Sequence, residues 1–311
     1  MSMTGWWIKF LSSAGDMMEY ARGIVVSVVA GYYFVEHANK IYLCRGRGKL
    51  RLDNLSPMAG DIVLFSPGKG DTGSVEQVLP RRNFLLRPAA ANVDAVVIVL
   101  APQGPQPNLL TVDKLLALLV SMKLEAILCV NKADLDPQAA RLLAGIYRDA
   151  GFASIICSAL TGHGMDELSQ MLGRRTVVLA GQSGVGKSHI SSQISLGQLE
   201  LPVQVGKLSA KIGRGKHTTR QVSLLPLAGG RKVADTPGFS VFELEMESHD
   251  LHRYYPEFLN SGQCKFAPCF HIHEPDCAVK ARLQQGEINP IRYENYIKIY
   301  TELQEREANR Y

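Results

Sequence analysis

The amino-acid sequence predicts a multidomain protein with an N-terminal β-barrel of the OB type, a central α/β domain with a largely parallel sheet, and a C-terminal, mainly helical metal-binding domain. Three observations predict this order. Short strand-like segments come first, alternating strand and helix patterns follow, and a dense group of Cys and His lies near the end. At 311 residues with 46% hydrophobic content, the chain can bury more than one core.

Residues 1–20 are predicted to form a disordered N-terminal extension. Their early apolar cluster is interrupted by Lys9 and follows no basic segment, which argues against a signal peptide. No apolar run in the chain approaches the roughly 18 residues that cross a bilayer. We therefore expect no membrane contact and a cytoplasmic location.

Residues 21–88 carry five strand-like segments separated by Gly, Asn, Asp and Pro, a pattern typical of a small OB barrel. This region holds ten Lys and Arg against five Asp and Glu. If the backbone is extended, one face carries four alternating cations, Arg45, Arg47, Lys49 and Arg51. They are candidates for RNA binding, and the alternative is a solvated strand edge.

Residues 89–245 alternate apolar strands with helical stretches at 109–122, 137–150, 164–172 and 187–195, which indicates an α/β domain. Within it "VVLAGQSGVGKS" matches the phosphate-loop pattern G-x-x-x-x-G-K-[ST] between a strand and a helix. The glycines permit backbone angles that turn amides toward phosphate, and the lysine neutralises β- and γ-phosphate oxygens. The predicted phosphate-binding residues are Gly181, Gln182, Ser183, Gly184, Val185, Gly186, Lys187 and Ser188.

Two segments upstream of the phosphate loop indicate guanine recognition. In "NKAD", the Asp134 carboxylate can accept hydrogen bonds from guanine N1 and N2, which adenine does not offer. Asn131 would brace the loop, and the stem of Lys132 would lie over the base. In "SAL", Ser158 and Ala159 end a strand, where the amide of Ala159 would meet guanine O6.

Downstream segments indicate magnesium and a nucleotide-dependent switch. Ser188 would bind Mg²⁺ directly, and Asp235 of "VADTPGF" would hold it through water. The Gly238 amide would meet the γ-phosphate. The basic, Gly-rich segment "GRGKHTTR" offers two further magnesium candidates, Thr218 and Thr219.

These matches stand in an unusual order, since the guanine-reading segments precede the phosphate loop. All five fall at strand ends, so coincidence is the weaker explanation. A domain whose termini are neighbours tolerates circular permutation, and the same sheet can be wound from a different starting point. The sequence therefore predicts a circularly permuted P-loop GTPase domain.

Residues 246–311 are short, polar and helical around "CKFAPCFHIHEPDC", and they look too small for a large core. The spacing C-x4-C-x-H-x5-C predicts one structural Zn²⁺ bound by Cys264, Cys269, His271 and Cys277, with His273 as the competing nitrogen ligand. The remaining cysteines, Cys44, Cys129 and Cys157, lie in apolar strand contexts and are predicted core residues.

The barrel, the permuted motifs and the Cys/His cluster together resemble the small ribosomal subunit biogenesis GTPases of the RsgA (YjeQ) type, over residues 21 to about 300. The resemblance implies a GTPase acting in late maturation of the small subunit, where it would bind the subunit and its rRNA. We expect the protein to be a monomer. It favours His271 over His273 as the zinc ligand. His189 departs from the family, which more often has a small polar residue there, and different helix packing is expected.

Hydrolysis should be slow in isolation, because Phe239 occupies the place where many GTPases carry a water-orienting Gln. The nearest substitute is His217 beside the two threonines, and the resemblance also favours it as catalytic; the alternative is a solvated loop histidine. Two other functions stay open. One is a free-standing P-loop nucleotide enzyme, such as a kinase, and the other is a guanine-nucleotide switch that does not hydrolyse GTP.

Overall fold

The computed structural model describes residues 7–11, 17–47, 56–86, 89–195, 223–226, 232–235 and 244–310. The chain forms two compact units. The first comprises the described residues of Met1–Asp94, Leu172–Val178 and Ser195–Thr236, and the second those of Ala95–Met171, Leu179–Ile194 and Pro237–Tyr311.

The first unit consists of β-strands. They are β1 Trp7–Leu11, β2 Met17–Val29, β3 Tyr32–His37, β4 Lys40–Gly46, β5 Ile62–Pro67, β6 Thr72–Val78, β7 Phe84–Leu86, β8 Ala89–Ala91, β13 Ser223–Pro226 and β14 Lys232–Asp235.

Strands β2 to β6 close into a five-stranded barrel. Their order is β2-β3-β4-β6-β5, and β5 returns to β2. Every pair is antiparallel except β4 with β6, which is parallel. Because side chains alternate across a strand, one set points inward and forms the barrel core, namely Ala21, Val25, Val35, Cys44, Val63, Phe65 and Val75. The predicted OB-type barrel is confirmed.

The N-terminal segment differs from the sequence prediction. Strand β1 pairs antiparallel with β2, with Trp7 opposite Ala21 and Leu11 opposite Met17. The expectation of disorder in residues 1–20 is therefore wrong for residues 7–11 and 17–20. Strand β2 extends upstream of the barrel and offers an edge with which a second strand can pair.

The short strands β13 and β14 extend the sheet of this unit. They pair antiparallel with each other, and β13 contacts β2 where Ser223 lies opposite Ser27. Lys232 of β14 is 6% exposed, and its Nζ lies 2.6 Å from Glu36 Oε2 of β3. This buried ion pair fixes β14 against the barrel.

The second unit alternates strands and helices. Its elements are β9 Ala95–Leu100, α1 Leu109–Ser121, β10 Glu125–Val130, α2 Pro137–Asp149, β11 Ala153–Ile156, α3 Met165–Leu172, β12 Thr176–Ala180, α4 Lys187–Ser195, a 3-10 helix Ser248–Tyr254, α5 Pro256–Leu259, α6 Ala278–Gln284 and α7 Pro290–Ala308. The terminal residues Leu172, Thr176–Val178 and Ser195 belong to the first unit.

The sheet of the second unit is parallel, as predicted. Strand β10 pairs with β9 on one side and β11 on the other, and every residue of β9 is buried. Such continuous burial is typical of a strand covered on both faces. Helix α1 begins after Asn108, whose side chain accepts the Thr111 amide at 3.1 Å. Helix α2 begins after Asp136 in the same way, with Pro137 in its first turn.

The C-terminal helices have a larger core than the sequence predicts. Aromatic rings supply most of it: Tyr255 and Phe258 lie 5.1 Å apart, and each contacts Tyr296 of α7 in a T-shaped arrangement. Ala117 of α1 belongs to the same core. The helices therefore complete a hydrophobic core that they share with the α/β domain.

A buried ion triad joins α7 to α1. The guanidinium of Arg292, 1% exposed, donates to Asp113 Oδ1 at 2.6 Å and to Glu257 Oε1 at 2.8 Å. Asn295 donates to the other Asp113 oxygen at 2.7 Å, and the Tyr255 ring lies 4.5 Å from the guanidinium. Burial raises the pKa of Asp113 despite the adjacent cation. A charged group so deeply buried is tolerated only because it is paired.

Within the described residues, no helix combines the length and the apolar character that a membrane span requires.

Candidate nucleotide and metal sites

The predicted phosphate loop connects β12 to α4. Its three glycines all have positive φ, namely 142° at Gly181, 84° at Gly184 and 96° at Gly186. A Cβ on Gly181 would lie 2.3 Å from the Val99 carbonyl oxygen, so this turn admits only glycine. Lys187 is buried, and its Nζ donates to the carbonyl oxygens of Gly181 and Gln182, at 2.9 Å each. The lysine ammonium is thus held within the loop.

Asn131 ties three nucleotide-site segments together. Its Nδ2 donates to the Val185 carbonyl oxygen in the phosphate loop at 2.8 Å, and its Oδ1 accepts the Ala159 amide at 2.9 Å. Asn131 is 2% exposed. A Cβ on Gly186 would approach Asn131 Nδ2 to 2.3 Å. The segments "NKAD", "SAL" and "GQSGVGKS" therefore meet at one point, although 54 residues separate Asn131 from Val185.

The Asp134 side chain is exposed, and within the described part of the chain a hydrogen bond from the neighbouring segment orients it. The Ser158 hydroxyl, in a residue 1% exposed, donates to Asp134 Oδ1 at 2.5 Å. A carboxylate has about four acceptor sites, so capacity remains for a ligand with adjacent N–H donors. Guanine N1 and N2 are such donors.

The sequence analysis did not predict that the loop between β9 and α1 contacts the "NKAD" segment. The loop of residues 101–108, between β9 and α1, accepts a hydrogen bond from Lys132 Nζ at the Gly104 carbonyl oxygen, 2.5 Å away. Gln103 Nε2 donates to the Leu135 carbonyl oxygen at 3.1 Å. The available signal was positional, because this loop follows the carboxyl end of a buried strand, where α/β sheets bind ligands.

The predicted magnesium and switch residues are only partly described. Ser188 lies in the first turn of α4 and is exposed, and the backbone of Asp235 ends β14. His217, Thr218, Thr219 and Gly238 lie outside the described residues. The catalytic and magnesium assignments at those positions stay predictions.

The Cys/His cluster has the geometry of a zinc site. His271 Nδ1 lies 3.6 Å from Cys264 Sγ, 3.4 Å from Cys269 Sγ and 3.3 Å from Cys277 Sγ. Tetrahedral Zn²⁺ with the usual bond lengths places S and N ligands about 3.5 Å apart. All four ligand atoms lie within 4.8 Å of one another. His273, the competing ligand, is exposed and outside this group.

The surroundings of the cluster orient its ligands. The Tyr293 hydroxyl donates to the His271 carbonyl oxygen and the Tyr296 hydroxyl to that of Phe270, both at 2.6 Å. Glu274 accepts the amides of Phe270 and Ile272 at 2.7 and 3.0 Å. Burial raises the pKa of the Cys269 thiol to about 12 and lowers the pKa of His271. A soft divalent cation would compensate such burial by binding the thiolates.

Two of the four cations predicted to bind RNA lie among the described residues. Arg45 and Arg47 are exposed at the end of β4, while Lys49 and Arg51 lie outside the described residues. The Arg45 guanidinium lies 4.8 Å from the Tyr32 ring centre and donates to its hydroxyl. Arg47 forms an ion pair with Glu76 at 3.0 Å, which offsets part of its charge. The predicted core cysteines, Cys44, Cys129 and Cys157, are each fully buried.

Comparison with known proteins identifies the family. The profile described as RsgA GTPase matches residues 78–245, and the profile described as RsgA N-terminal domain matches residues 22–75. The chain belongs to the RsgA GTPase family. It is 40% identical over 296 residues to the small ribosomal subunit biogenesis GTPase RsgA of Caldanaerobacter subterraneus subsp. tengcongensis, covering 94% of this chain and 99% of that relative. The RsgA of Ruminiclostridium cellulolyticum is 41% identical over 91% of this chain and 94% of its own length.

Solved structures agree with this RsgA-family assignment. YjeQ from Thermotoga maritima has a TM-score of 0.77 and 38% identity, covering 91% of this chain and 98% of that one. YloQ, described as a circularly permuted GTPase, has a TM-score of 0.71 and 31% identity, and the match covers 92% of this chain and 96% of YloQ. The predicted permuted GTPase fold is confirmed. His189, the departure from the RsgA pattern, is exposed on α4, and the expected difference in helix packing stays a prediction.

Proposed function

We propose that this protein hydrolyses GTP to GDP and phosphate during late maturation of the small ribosomal subunit, and that binding the subunit and its rRNA stimulates hydrolysis. One observation carries the proposal. Asn131 joins the phosphate loop to both guanine-reading segments, so a bound nucleotide would contact all three. The names of the relatives support the same role.

The nucleotide would bind along this junction. The base would meet Asp134 and the Ala159 amide, with the Lys132 stem across its face, and the phosphates would lie against the amides of the phosphate loop and Lys187. Mg²⁺, when bound, neutralises charge on the β- and γ-phosphates. Its proposed protein ligands are Ser188, Thr218, Thr219 and Asp235, and Gly238 would contact the γ-phosphate.

Water activation is assigned to His217. Phe239 has no group that polarises water, so the isolated protein would turn over slowly. A partner that orders the segment around His217 would supply acceleration, which for groups provided in trans reaches about 10³ to 10⁵-fold. The exposed cations of the barrel, beginning with Arg45 and Arg47, would bind the rRNA phosphates that bring this partner into place.

The proposed domains are an extension over residues 1–20, an OB barrel over 21–88, a permuted GTPase domain over 89–245 and a zinc-binding domain over 246–311. One structural Zn²⁺ would be held by Cys264, Cys269, His271 and Cys277, whose spacing suits tetrahedral coordination. Four protein ligands leave no open position for substrate. We propose a monomer acting in the cytoplasm without membrane contact.

Turnover measurements test the proposal. GTP hydrolysis should be slow for the isolated protein and should rise on addition of purified small ribosomal subunits but not of large subunits. His217→Ala should bind small subunits normally and lose the stimulation. Equal rates with and without small subunits would instead favour the free-standing nucleotide enzyme. Specific GTP binding with no hydrolysis under either condition would favour the non-hydrolysing switch.

A further inference from the structure

The loop of residues 101–108, with the sequence "APQGPQPN", contacts both halves of the nucleotide site. It leaves the buried strand β9 and ends at Asn108, the residue that caps α1. On one side it contacts the "NKAD" segment through Gln103 and Gly104. On the other side the Asn108 amide faces Gln182 Oε1 of the phosphate loop at 3.4 Å. None of the sequence motifs includes this loop.

Lys132 explains why the "NKAD" segment needs an external support. Its φ of 60° lies in the left-handed region, which is unfavourable for a residue with a Cβ. Its Nζ bonds to the Gly104 carbonyl oxygen at 2.5 Å. The backbone end and the ammonium end of the side chain are therefore both constrained, which limits the positions that the aliphatic stem can take beside the base.

Gln103 supports the other end of the same segment. Its Nε2 donates to the Leu135 carbonyl oxygen at 3.1 Å, directly after Asp134. The Asp134 carboxylate is itself oriented only through Ser158 among the hydrogen bonds described for it. The direction of that carboxylate consequently depends on the backbone at 134–135, which Gln103 holds together with the hydrogen bond from the Leu135 amide to the Lys132 carbonyl oxygen at 3.1 Å.

The contact with the phosphate loop is looser. A cavity of about 20 Å³ lies between α1, β9 and the phosphate loop, lined in part by Asn108, Thr111, Gly181 and Gln182. Such a volume holds about one water molecule. Close packing is therefore incomplete on this side, and of the contacts that the 101–108 loop makes with the two halves of the nucleotide site, those to the guanine-reading segment are the shorter hydrogen bonds.

We propose that Gln103 and Gly104 form a wall of the guanine nucleotide site and that Gln103 is a positioning residue for base recognition. The proposal rests on the proposed function, since it assumes that GDP and GTP bind at this junction. This support lowers the cost of binding because the base-reading groups are already in place before the nucleotide arrives.

A pair of isosteric substitutions in this loop tests the proposal. Gln103→Met keeps the length of the side chain and removes the donor. Gln106→Met makes the same change three residues later, at an exposed glutamine for which no side-chain hydrogen bond is described. Affinity and dissociation rate of a fluorescent GDP analogue, KM and kcat for GTP, and the thermal midpoint would be measured for both variants and the parent protein.

Gln103→Met should weaken GDP binding about three- to tenfold, mainly through faster dissociation, because one hydrogen bond to the segment is lost. KM for GTP should rise by a similar factor while kcat and the thermal midpoint stay unchanged. Gln106→Met should match the parent in every measurement. Identical GDP dissociation from the two variants would overturn the proposal, and so would a Gln103→Met variant with lower kcat and a lower thermal midpoint, which indicates a general structural role. A parent protein that binds ADP as well as GDP would contradict the proposed function instead.

Discussion

Replacing Arg292 with Met should destabilise the C-terminal helices by about 3 to 5 kcal/mol, the usual effect of leaving buried charges unpaired. The side chain is 1% exposed and lies between Asp113 and Glu257, which are 0% and 3% exposed at their side chains. Methionine retains an apolar stem of similar reach but offers no donor. Two carboxyl groups would then remain in the core without a cation.

The loss should depend on pH. Burial already raises the pKa of Asp113 and of Glu257 in the native protein, although Arg292 opposes it. Without the guanidinium both folded-state pKa values rise further above the unfolded values. A carboxyl with a raised folded pKa loses stability progressively as pH rises from its unfolded pKa through its folded pKa, so the variant should recover stability relative to the parent as pH falls through that range.

Hydrogen exchange along Pro290–Ala308 measures this local stability directly. Arg253→Met is the control, because the arginine side chain is 64% exposed and the ion pair described for it, with Asp250 at 2.9 Å, lies at the surface, so the change in stability should be less than about 1 kcal/mol. Adding Asp113→Asn and Glu257→Gln to Arg292→Met should recover part of the loss. Equal, pH-independent protection in Arg292→Met and Arg253→Met would refute the reasoning.

Three further predictions concern the separate parts of the molecule. Gly186→Ala should reduce GDP affinity at least about tenfold in a titration, because a Cβ there would lie 2.3 Å from Asn131 Nδ2 and the φ of Gly186 is 96°. Unchanged affinity would show that nucleotide binding does not depend on Asn131 linking the phosphate loop to the guanine-reading segments. Chelation should extract one Zn²⁺ per chain and abolish protection of α6 and α7, since structural zinc contributes about 10 to 16 kcal/mol to folding; metal analysis finding no zinc in protein purified without chelators would contradict it. Neutralising the three barrel cations Arg45, Arg47 and Lys49 should lower the slope of log affinity for the subunit against log salt concentration by about one per cation, while GDP affinity stays the same. Normal stimulation of that variant at low subunit concentration would show that these cations are only a solvated strand edge.

Local patterns in the sequence were sufficient for the elements and for most of the motifs. The five barrel strands follow from short alternating segments between turn residues, and helices α1 to α4 lie within one residue of the predicted spans. Gly181, Gly184 and Gly186 have the positive φ values that a phosphate loop requires. These features depend on neighbours in the chain, so sequence spacing carries the information.

Long-range pairs were not predictable in the same way. Asp113 and Arg292 are 179 residues apart, and nothing around either one indicates that it is buried with a partner. The Gln103 contact with Leu135 depends on how the loop after β9 folds over the next strand end. Strand β1 was missed because its pairing with β2 stabilises a segment whose own sequence has a weak strand pattern.

Guanine selectivity tests the central claim most directly. The claim is that the permuted segments form one site in which Asp134, oriented by Ser158, reads the base. Two hydrogen bonds from guanine to a carboxylate contribute about 1.5 to 3 kcal/mol each, so GDP should bind at least about 100-fold more tightly than ADP in side-by-side titrations. Asp134→Asn should remove most of this difference without loss of folded structure. Equal affinity of the parent protein for GDP and ADP, or undiminished selectivity in Asp134→Asn, would contradict it.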